Sequence, residues 1–346
     1  MNKLSNRSLI TGGFGFIGYH LACELLSRGE KVILFGHRPK DDKKFRDLQK
    51  KYFDIASGAS SLTFRYGDFA FEDMDKVVHD EPHIAMIYHL AAQKATSATA
   101  GSSSGDLMIH NYDVDMSVFE FAEHIKAHKE DGGPVKLIYM SSGEVYGNAF
   151  LHGTPLNEGV SSVITPKKPA HIYPASKLMG EMLLMHGDWD FQWNIVRLQN
   201  PYGPGMGMDM LIPKLLKAAV DAQEKGKSTF LLDYPDDVRP YVYVADVARA
   251  LGAIMDLGIH GEVYNVAGKD VVMNYVARCI ADAFAPGALQ IILGSMPGSR
   301  KSMDITKVNR DTGWMPTTDL EEGLLMTYEW CSRTYAIERV VNGVIM

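Results

Sequence analysis

Cysteine is scarce in this 346-residue chain: Cys23, Cys279 and Cys331 stand far apart, with no metal-ligand spacing. That excludes a disulfide framework and a cysteine-based zinc site, and it fits reduced packing thiols in a cytoplasmic protein. An excess of positive charge is also missing. The formal net charge is −7 and no basic run occurs, which excludes an electrostatic nucleic-acid binder. No apolar run approaches the roughly 18 residues that a membrane span needs. The first expected strand starts within about seven residues of Met1, too early for a signal peptide. Internal repeats and low-complexity segments are absent. No metal site is expected.

What is present is an ordinary globular composition, 46% hydrophobic and 22% charged, with 19 scattered methionines read as core filler. The first half alternates short apolar runs with helical stretches, the pattern of an α/β, doubly wound parallel sheet with helices on both faces. Strands are expected at 8–11, 31–35, 62–66, 84–89, 135–141 and 194–198, and helices at 17–27, around 112–127 and at 175–186. The last helix carries Leu178, Met179, Met182, Leu183 and Met185, more apolar surface than one buried stripe needs. A subunit interface and plain core both account for it. After Asn200 the pattern turns irregular and rich in Pro and Gly. This reads as a smaller, interleaved C-terminal α/β part that returns to the sheet through strands near 228–232 and 262–267. The expected division is 1–199, with part of 228–268, for one domain and the remaining segments of 200–346 for the other.

Gly12, Gly15 and Gly18 follow a strand and open a helix. Small residues there let the backbone approach a pyrophosphate, and the helix N-terminus offers free N–H groups and positive potential. A dinucleotide-binding loop therefore takes precedence over an empty tight turn, with Phe16 and Ile17 in its first helical turn. At the end of the second strand, where a carboxylate would accept from a ribose 2′-hydroxyl, the chain reads Phe35-Gly36-His37-Arg38-Pro39-Lys40. Arg38, helped by His37 or Lys40, favours NADP over NAD, unless these are solvated loop charges. Asp68, beside Phe69 after the third strand, is placed to accept from the adenine amino group or to serve as a turn residue.

Tyr173 and Lys177, four apart on a helical stretch, share a face. An ammonium near a phenol favours the phenolate and makes an acid/base pair for a carbinol. By itself the pair is a chance-level motif.

Taken in series, these motifs resemble the NAD(P)-dependent nucleotide-sugar epimerase/dehydratase family of the extended short-chain dehydrogenase/reductase superfamily, from about residue 7 to about 330. The resemblance rests on Thr11–Gly18, Asp68, His89-Leu90-Ala91-Ala92-Gln93, the stretch 141–147, Tyr173–Lys177, the stretch 197–205, the stretch 239–248, Asn265-Val266-Ala267-Gly268 and Gly313-Trp314-Met315-Pro316. It implies a Rossmann-like domain joined to a nucleotide-sugar-binding part, and a homodimer. It also implies a catalytic set of Ser142, Tyr173 and Lys177, with Lys177 on the nicotinamide ribose. Leu90, Ala91 and Ala92 would lie against the cofactor. Gln93, Ser142, Asn200, Arg239 and Arg300 would meet a nucleoside-diphosphate sugar, the arginines through guanidinium forks on phosphate or ribose.

Family members begin by removing a proton from a sugar hydroxyl, usually at C4, while hydride passes to the cofactor. Glu144 falls where the family's dehydratases carry a functional glutamate. If the strand continued, residues 142 and 144 would share a face; an idle, solvated glutamate is the alternative. Position 143, an aspartic acid in one dehydratase branch, is Gly143 here. The sequence reading is 4,6-dehydration, slightly ahead of C4 epimerisation or NADPH-dependent ketoreduction. A non-catalytic NADP-binding regulator is the remote alternative, disfavoured by the intact Ser142, Tyr173 and Lys177.

Overall fold

The computed structural model describes residues 7–37, 61–69, 73–74, 76–77, 83–93, 104–129, 132–165 and 171–341. The first elements in chain order are β1 (Arg7–Thr11), α1 (Phe16–Ser27), β2 (Lys31–Gly36), β3 (Leu62–Tyr66), β4 (Ile84–His89), α2 (Ser104–His128), β5 (Lys136–Ser142), α3 (Ile172–His186) and β6 (Gln192–Leu198). They are followed by β7 (Pro201–Tyr202), α4 (Leu211–Lys225), β8 (Ser228–Leu232), β9 (Val238–Tyr243), α5 (Val244–Leu257), β10 (Val263–Val266), β11 (Lys269–Val272), α6 (Met273–Phe284), β12 (Leu289–Leu293), α7 (Thr306–Thr312) and α8 (Leu320–Val341).

Seven strands form one sheet in the order β10-β6-β5-β4-β1-β2-β3, every pair of them parallel. Val32, Ile33, Leu34 and Phe35 are at most 1% exposed, as expected of a strand covered on both faces. Each such side chain withdrawn from water contributes roughly 1.5–3 kcal/mol. On one face Leu21, Ala22 and Leu25 of α1 pack with Ala248, Leu251 and Met255 of α5. On the other, Val114, Val118 and Phe119 of α2 pack with Leu184 of α3.

The strand order reverses between β1 and β4, and a crevice opens there beyond the strand carboxyl ends. Register puts Thr11 opposite both Phe35 and His89, and Ser142 opposite Leu198. Five strand-end segments thus reach one edge of the sheet together.

The six N-terminal strands fall within a residue or two of the expected positions, the usual uncertainty of boundaries. Of the two later strands expected to rejoin the sheet, only the one near 262–267 does so, as β10 beside β6. The other, β8, pairs instead with β12 in a separate two-stranded sheet. Its Phe230 and Leu232 pack with α4 and α6 in a third apolar cluster, so burial is found locally and no return to the large sheet is needed. β7, β9 and β11 form a small sheet of their own. Among the described residues no helix is long and apolar enough to cross a membrane, and no group of His, Cys, Asp or Glu is arranged to hold a metal ion.

Candidate active site

At the β1–α1 turn the backbone itself forms the cradle. Gly12 has φ +67°, and a Cβ there would meet the Ala91 nitrogen at 2.9 Å, so only glycine suits both the turn and the close approach. A Cβ on Gly18 would meet the Gly12 oxygen at 2.6 Å. Gly15 caps α1 with no side-chain hydrogen bond, which leaves the helix N-terminus open to an anion. Ile17 packs onto the sheet core, whereas Phe16 packs onto the C-terminal cluster. A cavity of about 560 Å³ follows the crevice, lined among others by Gly12, Gly15, His37, Phe69, Leu90, Ala91, Ala92 and Gln93. Seven of the residues expected at a cofactor thus line one cleft: these eight except Gln93. Size, glycine cradle and open helix end all fit a dinucleotide.

At the far end His37 Nδ1 lies 2.9 Å from Asp68 Oδ1, and Phe69, with φ +59°, sets its ring edge-on to His37 at 5.5 Å. The imidazole is therefore engaged by a carboxylate rather than left to a phosphate. Arg38 and Lys40 lie outside the described residues.

Tyr173 and Lys177 stand one turn apart on α3, as expected. Lys177 is 1% exposed; its Nζ donates to Tyr139 Oη at 3.3 Å and lies 4.4 Å above that ring. The expected acidification of Tyr173 is reversed in the protein alone. Burial first, then the nearby Asp115 and Glu144 carboxylates, push the phenol well above its usual value, so Tyr173 holds its proton.

Ser142 ends β5, and its Oγ accepts from the Glu144 N–H at 3.2 Å. The strand does not continue: 143–146 form a 3₁₀ turn, so the shared-face argument for Glu144 fails. Glu144 reaches the site through that turn instead. Its oxygens accept from Lys301 Nζ at 2.8 and 2.7 Å, and Oε1 also accepts from Gln199 Nε2 at 3.0 Å. Burial would raise this carboxyl, but Lys301, Gln199 and Arg239 outweigh it and hold it below the ordinary carboxylate range. At Gly143 a Cβ would meet Gln199 Oε1 at 2.5 Å and Met303 Sδ at 2.6 Å, so a larger residue there would displace the ends of these two side chains.

Asn200 has φ +45°, and its Nδ2 is buried without a hydrogen-bond partner. A buried amide donor left open in this way is suited to a ligand oxygen. Arg239 is fixed by Asp237 and by the Ser299 carbonyl, and Arg300 donates to Asp270 Oδ2 at 2.8 Å. The two segments that carry these arginines run side by side, with Val238 bridged to Arg300.

Several residues escaped the sequence reading. Asn111 Oδ1 accepts from the Gln93 N–H at 2.8 Å, while its Nδ2 donates to the Gln93 carbonyl and to Ser176 Oγ at 3.1 and 2.9 Å. This amide clamps the strand-end loop to the first turn of α3. One turn along, Asp115 meets both His89 and Tyr139. The available signal was two polar residues at i and i+4 beside Val114, Val118 and Phe119; Lys301 and Gln199 offered none.

A family model described as the NAD dependent epimerase/dehydratase family matches residues 8–267. The chain is 28% identical over 355 residues to a trifunctional UDP-glucose 4,6-dehydratase/UDP-4-keto-6-deoxy-D-glucose 3,5-epimerase/UDP-4-keto-L-rhamnose-reductase of Arabidopsis thaliana. That alignment covers 98% of this chain and 49% of the relative, so the chain spans about half the relative's length. It is 26% identical over 355 residues to the dTDP-glucose 4,6-dehydratase of Neisseria gonorrhoeae, covering 93% of this chain and 94% of the relative. Among solved structures, UDP-glucuronic acid 4-epimerase from Bacillus cereus, in complex with UDP-glucuronic acid and NAD, matches with a TM-score of 0.77 at 25% identity, covering 95% of this chain and all of that one.

Proposed function

The chain belongs to the NAD dependent epimerase/dehydratase family, and from that premise we propose that it is a nucleotide-sugar 4,6-dehydratase. The observation that carries the choice is Glu144, a carboxylate held ionised near Tyr173 by Lys301 and Gln199. C4 epimerisation and ketoreduction need only Ser142, Tyr173 and Lys177, whereas elimination across C5–C6 also needs a base for the C5 proton.

A nicotinamide dinucleotide held in the glycine-cradled cleft would take the C4 hydrogen as hydride and give it back at C6. Ser142 hydrogen-bonds the C4 oxygen, Tyr173 exchanges its proton, and Lys177 steadies the phenolate. Glu144 then takes the C5 proton, the C6 hydroxyl leaves as water, and Glu144 gives a proton back to C5 as the hydride returns to C6, so the net change is the loss of one water. Position 143 is glycine and supplies no second carboxyl, so the ammonium of Lys301, which bonds Glu144, is the acid that protonates the leaving C6 hydroxyl. Arg239, Arg300 and the open amide of Asn200 receive the diphosphate and ribose.

The cofactor is a nicotinamide dinucleotide. The case for NADP rests on Arg38, and the His37–Asp68 contact weighs toward NAD; dissociation constants for the two dinucleotides decide between them. A cytoplasmic location fits the three free thiols. A second copy is proposed on the α2–α3 face, where Ile109, Met182 and Met185 are 63%, 55% and 37% exposed. Sedimentation of the native chain as a monomer overturns that arrangement.

The reaction is tested by incubating the protein with UDP-, GDP-, CDP- and dTDP-sugars in deuterated water. Loss of one water mass with deuterium at C5 supports dehydration; unchanged mass with altered retention identifies an epimerase instead. Glu144→Gln is expected to abolish C5 exchange while partial cofactor reduction persists. Unchanged exchange in that variant rejects the dehydratase reading.

A further inference from the structure

A continuous set of hydrogen bonds runs from the strand-end loop to Lys177, entirely through groups at most 1% exposed apart from the Ala91 amide at its start. The Ala91 N–H lies 3.4 Å from Thr11 Oγ1, Thr11 Oγ1 lies 2.8 Å from His89 Nδ1, and His89 Nε2 lies 2.9 Å from Asp115 Oδ1. Tyr139 Oη donates to Asp115 Oδ2 at 2.7 Å, and Lys177 Nζ donates to Tyr139 Oη at 3.3 Å.

Donor–acceptor chemistry orients the whole array. A carboxylate only accepts, so His89 Nε2 carries the hydrogen that faces Asp115. Burial lowers the imidazole pKa and keeps the ring neutral despite Asp115, so Nδ1 accepts from the Thr11 hydroxyl. Thr11 in turn accepts from Ala91. From the other end, Lys177 donates to Tyr139 and Tyr139 donates to Asp115. Both halves converge on this one carboxylate, and every member has a single consistent role.

We propose that Asp115 is the positioning residue for Lys177, acting through Tyr139, and that its second oxygen, through His89 and Thr11, ties the lysine to the Ala91 loop that lines the dinucleotide cleft. The proposal rests on Lys177 being a cofactor-facing residue, the role given to it above, and is independent of which sugar reaction follows. Five elements fix the array: β1 carries Thr11, β4 His89, β5 Tyr139, α2 Asp115 and α3 Lys177. The ammonium on its flexible stem is thereby given one location by the rigid layers of the fold. The titratable and charged groups that face this cluster are His89 from β4, Asp115 from α2, Tyr139 from β5, Glu144 from the turn after it, and Tyr173, Lys177 and Glu181 from α3.

The test compares Asp115→Asn, Tyr139→Phe and the double variant with Tyr264→Phe, a control that removes a buried tyrosine hydroxyl bonded to Asp311, away from the array. Melting temperature, NADH dissociation constant from fluorescence titration, and the pH profile of kcat are measured for each. The single array variants are expected to weaken NADH about 3- to 10-fold and to lower kcat about 10- to 100-fold, with sugar KM within about threefold, and the double variant to be no worse than either single. In Asp115→Asn the rise of kcat with pH is expected at lower pH, because a negative charge facing Tyr173 has gone. Tyr264→Phe is expected to move the melting temperature alone. Array variants that behave like Tyr264→Phe, or single losses that multiply in the double variant, overturn the proposal. The NADH arm needs no turnover, so a failure of the dehydratase reading leaves it standing.

Discussion

On one side of Tyr173, Thr11, His89, Asp115, Tyr139 and Lys177 are at most 1% exposed and joined in a single hydrogen-bonded array. On the other, Arg239, Lys301, Glu144 and Arg300 have side chains 17%, 29%, 37% and 46% exposed, held as separate ion pairs. The first flank comes from the large parallel sheet and its helices, the second mainly from strand ends and loops of the smaller part. Breaking a member of the buried flank strands a desolvated polar group. The part-exposed pair of Arg300 with Asp270 is of a kind that contributes only about 0–1 kcal/mol, so on the proposed reading this cation passes readily to an arriving phosphate. On the proposed reading, proton and hydride movement belongs to the preorganised interior and recognition to the more open flank.

The strongest challenge to this division is Tyr173→Phe, expected to lower kcat about 10²- to 10⁴-fold while the dinucleotide dissociation constant holds steady. Retention of more than a tenth of the activity removes Tyr173 from the centre of the comparison. Next in size is Arg239→Ala on the exposed flank. Losing a hydrogen bond to a charged group costs roughly 1.5–3 kcal/mol, so KM for the nucleotide sugar should rise about 10- to 100-fold with kcat little changed. A matching collapse of kcat instead erases the separation of chemistry from recognition. Arg300, the more exposed of the two arginines, should give a smaller effect on substitution by alanine, about 2- to 5-fold in KM. A larger loss than that of Arg239→Ala reverses the order within the flank.

The smallest expected effect concerns pH and the buried flank. Burial depresses the His89 pKa, so the unfolded chain takes up this proton first as pH falls. The stability it represents is complete above the ordinary imidazole value of about 6.5 and is lost as pH drops toward the lower folded value, by at most about 1.4 kcal/mol per pH unit. Melting curves at pH 7.5 and 5.5 should show a shallower pH slope in His89→Gln than in the parent chain, whatever the offset in melting temperature. An unchanged slope means that His89 already carries its proton in the fold, which contradicts the hydrogen-bond directions assigned to the array.

Local rules made much of the framework legible. The run Val32–Phe35 is apolar at every position, and only a strand buried on both faces uses such a run in a chain of this kind. Gly12 follows a strand and Gly18 falls in the first turn of the helix after it, a spacing legible without any tertiary contact. Legibility failed where a residue acts across layers. β8 has the composition of a strand that could join either sheet, and local packing against α4 and α6 decided the matter. Glu144 stands where the resemblance puts a functional glutamate, but the strand that would have turned it to the face of Ser142 ends two residues before it. Lys301 lies 157 positions from Glu144 and still holds both of its oxygens, a relation no spacing rule expresses.

The sequence by itself determined the alternating β/α order, the glycine loop and the Tyr173–Lys177 spacing, because each depends on neighbours within a few turns of chain. Only the tertiary structure decided what surrounds that pair. Packing α2 between β4, β5 and α3 brings Asp115 to His89, Tyr139 and the neighbourhood of Tyr173, and the 3₁₀ turn with the Lys301 segment brings a second carboxylate to the other side. Charge and desolvation act through space, so the protonation of Tyr173 is set by burial and by carboxylates about 30 to 60 positions away in the chain.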